Sequence, residues 1–396
     1  MFHGCRSRFS ERSHFFLLLQ EALMRIDTQK MPKLGFGLMR LPEKDGAIDF
    51  QQVCRMVDLY IKSGFNYFDT AYVYHNGESE KIVKTAIVER YPRDSFTIAT
   101  KLPGWCLNTP EDKDRIFNEQ LERTGAGFFD YYLIHSIEDG ESYDKHVNFH
   151  SFEWAVEKRK AGLIRHLGFS FHGTPELLRK ILTEHPEFEF VQIQLNYADW
   201  DNPLIQSGAL YQILREFDIP IIVMEPVKGG SLADPIPEVK QVFSELPSAP
   251  TPASLALRFV GSLDGIGTIL SGMSTEEQIL ENIRTFSPFC RLTPEEDGAI
   301  KKAVDAIRST PLIECTSCRY CCDGCPQQIP IPDIFRIINS VRRYNDVFRG
   351  KIHYSHKTKN TGKAADCIAC GQCESVCPQH LEIINLLADA SHILDD

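Results

Sequence analysis

No run of about eighteen apolar residues occurs anywhere in the 396-residue chain, so no segment reads as a helix able to span a bilayer. No secretory leader is expected either. The nearest candidate, Phe15 to Leu19 behind Arg6, Arg8 and Arg12, is a short apolar run followed by no small-residue cleavage site. Positive charge is scarce: 43 Lys and Arg stand against 54 Asp and Glu, a formal net charge of -11 that argues against nucleic acid as a partner. Also absent is a Gly-rich turn behind the first predicted strand. Gly35-Phe36-Gly37 lies inside that strand, which removes the signature of an open dinucleotide-binding sheet. What remains is a chain with 43% hydrophobic and 24% charged residues, the composition of a globular protein, long enough for two or three domains. We expect a cytoplasmic protein with no membrane partner. Residues 1–28 read as a poorly ordered extension, consistent with a translation start upstream of the true one at Met24.

Cysteine, by contrast, is plentiful. Eight of the 13 cysteines fall at regular spacing in the last 82 positions, and the other five follow no such pattern. Clustered cysteines in a large chain without an export signal indicate metal rather than disulfides, and a reducing compartment. The first run is Cys315-x2-Cys318-x2-Cys321-x3-Cys325-Pro326 and the second is Cys367-x2-Cys370-x2-Cys373-x3-Cys377-Pro378. Both resemble the bacterial ferredoxin run that holds [4Fe-4S] clusters, in which the fourth cysteine of each run ligates the other cluster. The resemblance implies two [4Fe-4S] clusters, one on Cys315, Cys318, Cys321 and Cys377, the other on Cys367, Cys370, Cys373 and Cys325. Zinc is the alternative, but a structural zinc site takes four ligands rather than two crossed sets of four. Cys322 has no place in the pattern.

The 41 residues between the runs include a predicted helix, Asp333 to Tyr344, which resembles α-helical ferredoxins more than the compact βαβ kind. Residues 311–396 are therefore expected to form a small, mainly α-helical ferredoxin-like domain that metal helps to hold together. Within it Arg342 to Lys363 carries seven basic residues against one acidic. A solvated charge run is the plain reading. The sharper one is a docking patch for an acidic electron carrier of ferredoxin or flavodoxin type, since opposite charge steers encounter.

From residue 33 to about 287, short β-rich runs alternate with amphipathic helical stretches, eight of each, which is the pattern of a parallel sheet built from βα units. The strands are expected at Leu34–Met39, Asn66–Ala71, Phe96–Lys101, Tyr131–Ser136, Ile164–Phe171, Phe190–Asn196, Pro220–Pro226 and Gly267–Gly272. Helical stretches between them include Asp49–Ser63 and Glu78–Tyr91, with apolar residues every three or four positions. Eight such units in about 250 residues predict a (β/α)8 TIM barrel. A further helix, Thr293 to Arg308, carries the N-terminal signals Thr293, Pro294, Glu295 and Glu296 and closes a domain assigned to residues 29–310.

Three predicted strand ends carry chemistry: Asp69-Thr70-Ala71-Tyr72-Val73-Tyr74, then Lys101, then His135. With Pro32-Lys33-Leu34-Gly35-Phe36-Gly37, they resemble in order and spacing the signatures of the aldo/keto reductase family, over residues 33 to about 308. All fall where TIM-barrel active sites lie, at the C-terminal mouth. The resemblance implies that Tyr74 gives a proton to a substrate carbonyl, Lys101 tunes it, Asp69 holds Lys101 and His135 orients the carbonyl. A free tyrosine has a pKa of about 10. A Lys ammonium about 4 Å away is expected to lower it by roughly three units at an effective dielectric near 20.

The resemblance also implies cofactor contacts at Ser170, Gln192, Met224, Glu281 and Asn282. Phe171 stands where the family has Asn, and Met224 where it has an aromatic. Gly272 and Gln278 replace the basic residues that clamp the NADP 2'-phosphate, which argues against a strong NADP preference. NAD(P)H is therefore the expected cofactor, with FMN as the alternative, since a flavin joins two-electron to one-electron chemistry. The leading expectation is an iron-sulfur oxidoreductase acting on a small carbonyl or alcohol, with electron transfer through the two clusters. The alternatives are a cluster-based redox sensor or electron-transfer protein whose barrel binds nucleotide without turnover, and clusters with a structural role only.

Overall fold

A computed structural model describes residues 26–202 and 205–395; the N-terminal extension expected from the sequence lies almost wholly outside the described residues. The chain divides into two compact units. One holds residues up to Gly229 with Ala256–Leu292, and the other holds Gly230–Leu255 with the chain from Thr293 onward.

The first unit is a closed barrel of eight parallel strands: β1 (Leu34–Gly37), β2 (Tyr67–Asp69), β3 (Thr97–Pro103), β4 (Phe129–Ile137), β5 (Ile164–Phe171), β6 (Phe190–Gln194), β7 (Ile221–Met224) and β8 (Ile266–Ser271). Each strand pairs with its sequence neighbours and β1 closes against β8, so the sheet has no open edge. The eight strands expected from the sequence all form, and the barrel fold is the one predicted. Helices are more numerous than the eight expected. Two follow β4 (Gly140–Asn148 and Ser151–Lys160), because His150, at φ 52°, breaks what would otherwise be one helix. Two more follow β7 (Pro237–Ser244 and Pro252–Gly261). Local signals place the ends well: Asp49 accepts a hydrogen bond from Gln52 N ahead of the helix Phe50–Lys62.

The barrel's two layers follow from strand alternation. Phe68, Ile98, Tyr132, Leu167, Phe169, Val191 and Val223 point outward and pack under the helices. Tyr67, Ala99, Tyr131, Leu133, Phe190 and Ile222 point inward and fill the lumen. Two residues further along each strand, on that same inner face, lie Asp69, Lys101, His135, Gln192 and Met224. The candidate site is thus the top layer of the barrel filling, with polar side chains in place of apolar ones. Asp130, at the other end of β4, takes Arg93 and Arg165 at 2.6 and 2.9 Å and reads as a structural tie at the N-terminal face.

In the second unit the capping box of Thr293 and Glu296 opens the helix Pro294–Arg308, as its sequence predicts. That helix packs against Pro237–Ser244. The expected helix after the first cysteine run spans Ile331–Tyr344, and Val347–Lys357 and Ile383–Leu394 follow it. Their core is small: Ile331, Ile334, Phe335, Ile338, Tyr354, Ile383, Leu387 and Leu394, joined by Cys321 and Cys373. Among the described residues no helix is long and apolar enough to cross a membrane.

Candidate active site and cysteine cavities

Lys101 is the centre of the barrel mouth. It is fully buried, and its Nζ donates to Asp69 Oδ1 at 2.6 Å, to the Thr70 carbonyl at 2.7 Å and to Tyr74 Oη at 3.4 Å. The ammonium also lies 4.9 Å from the Tyr74 ring centre. A buried ion pair survives only when its remaining hydrogen-bonding capacity is met, and here three acceptors surround one ammonium. A second buried layer fixes the strand beneath. Gln120 Nε2 donates to the Lys101 carbonyl at 3.0 Å and to Glu80 Oε1 at 3.0 Å, while Tyr132 Oη donates to Gln120 Oε1 at 2.8 Å.

The electrostatics differ in one respect from the sequence expectation. Burial raises the Tyr74 pKa, and although Lys101 pulls it down, Asp69 and Glu225 add to the upward push, so the net shift is above the usual phenol value rather than below it. The expected fall counted the Lys101 charge and left out the loss of water around the phenolate. Tyr74 is therefore protonated at neutral pH. Lys101 stays charged: burial works against it, but Asp69 and Tyr74 outweigh that and raise its pKa. His135 is held well below its ordinary value by burial and by the nearby Lys101, His172 and His146, which makes it a neutral imidazole.

The His135 ring faces Tyr74 edge-on at 6.2 Å and lies 4.9 Å from the ring of Trp105, which is half exposed. Its Nδ1 is buried without a hydrogen-bond partner. Trp105, His172 and Glu225 were not among the residues expected here. Trp105 sits in the loop after β3, where barrel sites recruit residues. His172 lies two positions beyond Ser170, on the same alternation, so its sequence signal was available.

The expected cofactor residues gather in part. Ser170 and Gln192 are direct register partners on β5 and β6, both buried. Gln192 Nε2 approaches Met224 Sδ at 3.7 Å. Ser170 Oγ accepts from Ser136 N at 2.7 Å, which leaves its own hydroxyl hydrogen to give. Gln192 Oε1 is buried with no partner. One donor and one orphaned acceptor on adjacent strands fit a carboxamide, which offers one acceptor and two donors. Phe171 faces away, into the helical layer against Phe169. Asn282 is turned to the end of β8, where its Nδ2 donates to Ser271 Oγ at 2.8 Å, and Glu281 precedes it on the helix Glu276–Phe286. Gly272 is covered by the side chain of Arg40, whose carbons lie 3.2 to 3.5 Å from where a Cβ would stand. The aliphatic stem of Arg40 thus covers the end of β8, where the residue is glycine.

In the second unit the two cysteine runs interleave. Cys315, Cys318, Cys321 and Cys377 line one cavity, with Ile331, Phe335 and Ile383 among its walls. Cys325, Cys367, Cys370 and Cys373 line another with Ile329, Ile331 and Leu387. Each cavity takes three cysteines from one run and the last from the other. Four thiolates around an apolar space suit a polynuclear cluster.

Residues 33–305 match the profile of the aldo/keto reductase family, and residues 314–382 that of the 4Fe-4S dicluster domain. An aldo-keto reductase of Mycobacterium avium is 28% identical over 71% of this chain and 89% of its own length. Human aldo-keto reductase family 1 member C4 is 25% identical over 68% of this chain and 87% of its own. The same fold occurs in the aldo-keto reductase AKR11C1 of Bacillus halodurans (TM-score 0.55, 23% identity, 69% of this chain and 92% of that one). It occurs too in an aldo/keto reductase of Klebsiella pneumoniae solved with NADP and acetate (TM-score 0.54, 19% identity, 69% and 91%). A parallel eight-stranded barrel, a matching profile over most of the chain and a cysteine-rich helical region behind it lead to one assignment: this chain belongs to the aldo/keto reductase family and carries a fused 4Fe-4S dicluster domain.

Proposed function

We propose that this oxidoreductase interconverts a small carbonyl compound and its alcohol at the barrel mouth, and that its two clusters connect the chain to an external one-electron carrier. The observation that carries the first half is the buried relay Asp69, Lys101, Tyr74. Tyr74 is a protonated phenol whose oxygen touches a fixed ammonium. As its proton passes to a carbonyl oxygen, the charge left on the phenolate meets Lys101, which is already in place and needs no reorganisation. Asp69 keeps that ammonium charged through the cycle. His135, neutral and flanked by Trp105, is set to donate a second hydrogen bond to the same oxygen without giving up its proton.

A nicotinamide bound at the mouth would supply the hydride. Ser170 and Gln192 would hold its carboxamide, with Met224 beside them. The eight cysteines, in the crossed sets that line the two cavities, would hold the clusters. Their need for free thiolates supports a reducing, cytoplasmic setting.

The test is anaerobic purification of the full chain with iron, sulfide and released-cofactor analysis, followed by turnover with NAD(P)H over a panel of aldehydes and ketones. Carbonyl-dependent oxidation of the cofactor that falls at least about 100-fold in Tyr74→Phe is the expected result. Equal turnover by Tyr74→Phe and wild type would remove the proposal, and stoichiometric FMN on release would move the hydride source to a flavin.

A further inference from the structure

We propose that a small acidic one-electron carrier protein docks on the exposed face of the helix Val347–Lys357 and exchanges electrons through the cluster site of Cys325, Cys367, Cys370 and Cys373. This rests on the reading of the cysteine cavities as redox-active [4Fe-4S] sites.

The helix has two unlike sides. Gly350 and Tyr354 are buried within it, and Thr358 just after it, one turn apart each. At 100° per residue, Phe348, Ile352 and His356 fall opposite them. Phe348 is 66% and Ile352 42% exposed, so this side presents a large apolar pair that the chain itself leaves in water. Lys351 flanks Phe348 on the helix surface, and Lys357 and Lys359 stand exposed at and just past the helix end, none of the three in an ion pair among the described residues. Arg349 is tied to Asp346 at 3.6 Å, and Lys363 reaches Asp395 at 3.8 Å. An exposed aromatic and aliphatic pair with unpaired cations on the same segment is what an acidic protein surface needs.

The same helix is fastened to the wall of one cavity. Tyr354 Oη accepts from Ala364 N at 2.7 Å, three residues before Cys367. Between them Gly362 N donates to the Gln328 carbonyl at 3.3 Å, next to Gln327, which lines the cavity. The helix that carries the landing face is thus fastened, by its opposite side, to the segment that lines the cluster site. On the cavity's own rim Ile368, between two ligand cysteines, is 60% exposed, and Cys370 is exposed.

The other cavity lacks these features. Its exposed Tyr320 stands beside Arg319, but Arg319 and Arg336 share the carboxylate of Asp333 at 2.8 and 3.3 Å. Acidic residues flank the cysteines of both cavities, Glu314 and Asp323 here and Asp366 and Glu374 there, so the preference for one cluster site rests on the cations of the segment that carries Phe348 and Ile352. In the transfer itself the carrier loses one electron and the cluster gains it, or the reverse. No bond forms or breaks, and no proton moves.

The experiment uses the anaerobic full-length holoprotein, wild type and the triple variant Lys351→Glu/Lys357→Glu/Lys359→Glu, with an acidic flavodoxin as probe. Binding of oxidised flavodoxin is titrated at low and high salt. Cluster reduction by reduced flavodoxin and by dithionite is followed in a stopped-flow spectrometer. We expect wild type to bind flavodoxin with an affinity and a second-order rate that fall at least tenfold from low to high salt. The variant should show both values reduced at least tenfold at low salt, with its cluster spectrum and dithionite reduction unchanged. Flavodoxin binding and reduction that are equal in the two proteins would overturn the proposal. So would wild type binding anionic phosphatidylglycerol vesicles while ignoring flavodoxin, which would make the face a membrane contact. Clusters that dithionite reduces but flavodoxin does not reach sink the docking face alone, whereas clusters that dithionite cannot reduce sink the redox reading beneath it.

Discussion

Removing the Lys101 charge tests the proposed chemistry most directly. Lys101→Met alone would strand Asp69 as an unpaired buried carboxylate, at a cost of roughly 3–5 kcal/mol in stability, so the informative variant is Asp69→Asn/Lys101→Met, which deletes the pair together. The ammonium lies 3.4 Å from Tyr74 Oη. At an effective dielectric near 20, its attraction for a full phenolate charge at that distance is about 5 kcal/mol. A transition state with the proton half transferred feels about half of that, and roughly 2.5 kcal/mol corresponds to a kcat lowered some 50-fold or more. The assay is steady-state carbonyl reduction by the anaerobic holoprotein from pH 6 to 10, with kcat and KM separated. KM should stay near the wild-type value, because Lys101 is buried beneath the mouth rather than exposed at it. In wild type the reduction rate should hold on the alkaline side, since Tyr74 remains protonated through neutral pH and beyond its ordinary range. A double variant whose kcat lies within about threefold of wild type would show that the 3.4 Å contact does not assist proton transfer.

The crossed cysteine sets predict that Cys325→Ala damages the same cluster as Cys370→Ala, and Cys377→Ala the same one as Cys318→Ala. Iron content should fall to about half in each; electron paramagnetic resonance spectra that pair Cys325→Ala with Cys318→Ala would refute the crossing. His146 predicts an acid weakness in the barrel. Burial, helped by Lys145 and Lys113, holds its folded pKa down to about 4. Above about pH 6.5 both folded and unfolded chains carry it neutral; as pH falls from there the unfolded chain takes up a proton that the folded one refuses, so stability is lost down to about pH 4 and no further. The loss amounts to about 3 kcal/mol. Urea unfolding of the barrel at pH 7 and pH 4.5, compared between wild type and His146→Leu, should show the variant losing less on acidification. Parallel losses would contradict this account.

Much of this chain is written in short-range pattern. The ends of the β-runs put Asp69, Lys101 and His135 at the C-terminal mouth, and in the barrel strand alternation turns all three to the inner face. The cysteine spacing and the proline behind each run announce the cluster domain. Asp49 and Thr293 mark their helix starts because a cap is a contact between residues two or three apart. Where the reading fell short, the missing information was long-range. The break at His150 depends on a backbone angle that no helix-breaking residue at that position announces. Trp105 and His172 meet His135 only once the strands close. The direction of the Tyr74 shift depends on how much water the surrounding elements expel, which periodicity does not report. Arg40 comes to cover Gly272 because β1 and β8 are neighbours only in the closed barrel.

The sequence by itself determined the barrel, the residues lining its mouth and the eight thiols, because each is encoded by spacings of a few residues that backbone geometry converts directly into facing and proximity. Tertiary structure alone decided which groups touch, which cavity each cysteine joins, how burial balances Lys101 at Tyr74, and which face of the helix Val347–Lys357 is left in water. Those outcomes depend on distances between residues far apart in the chain, and packing sets such distances only when all the elements are in place.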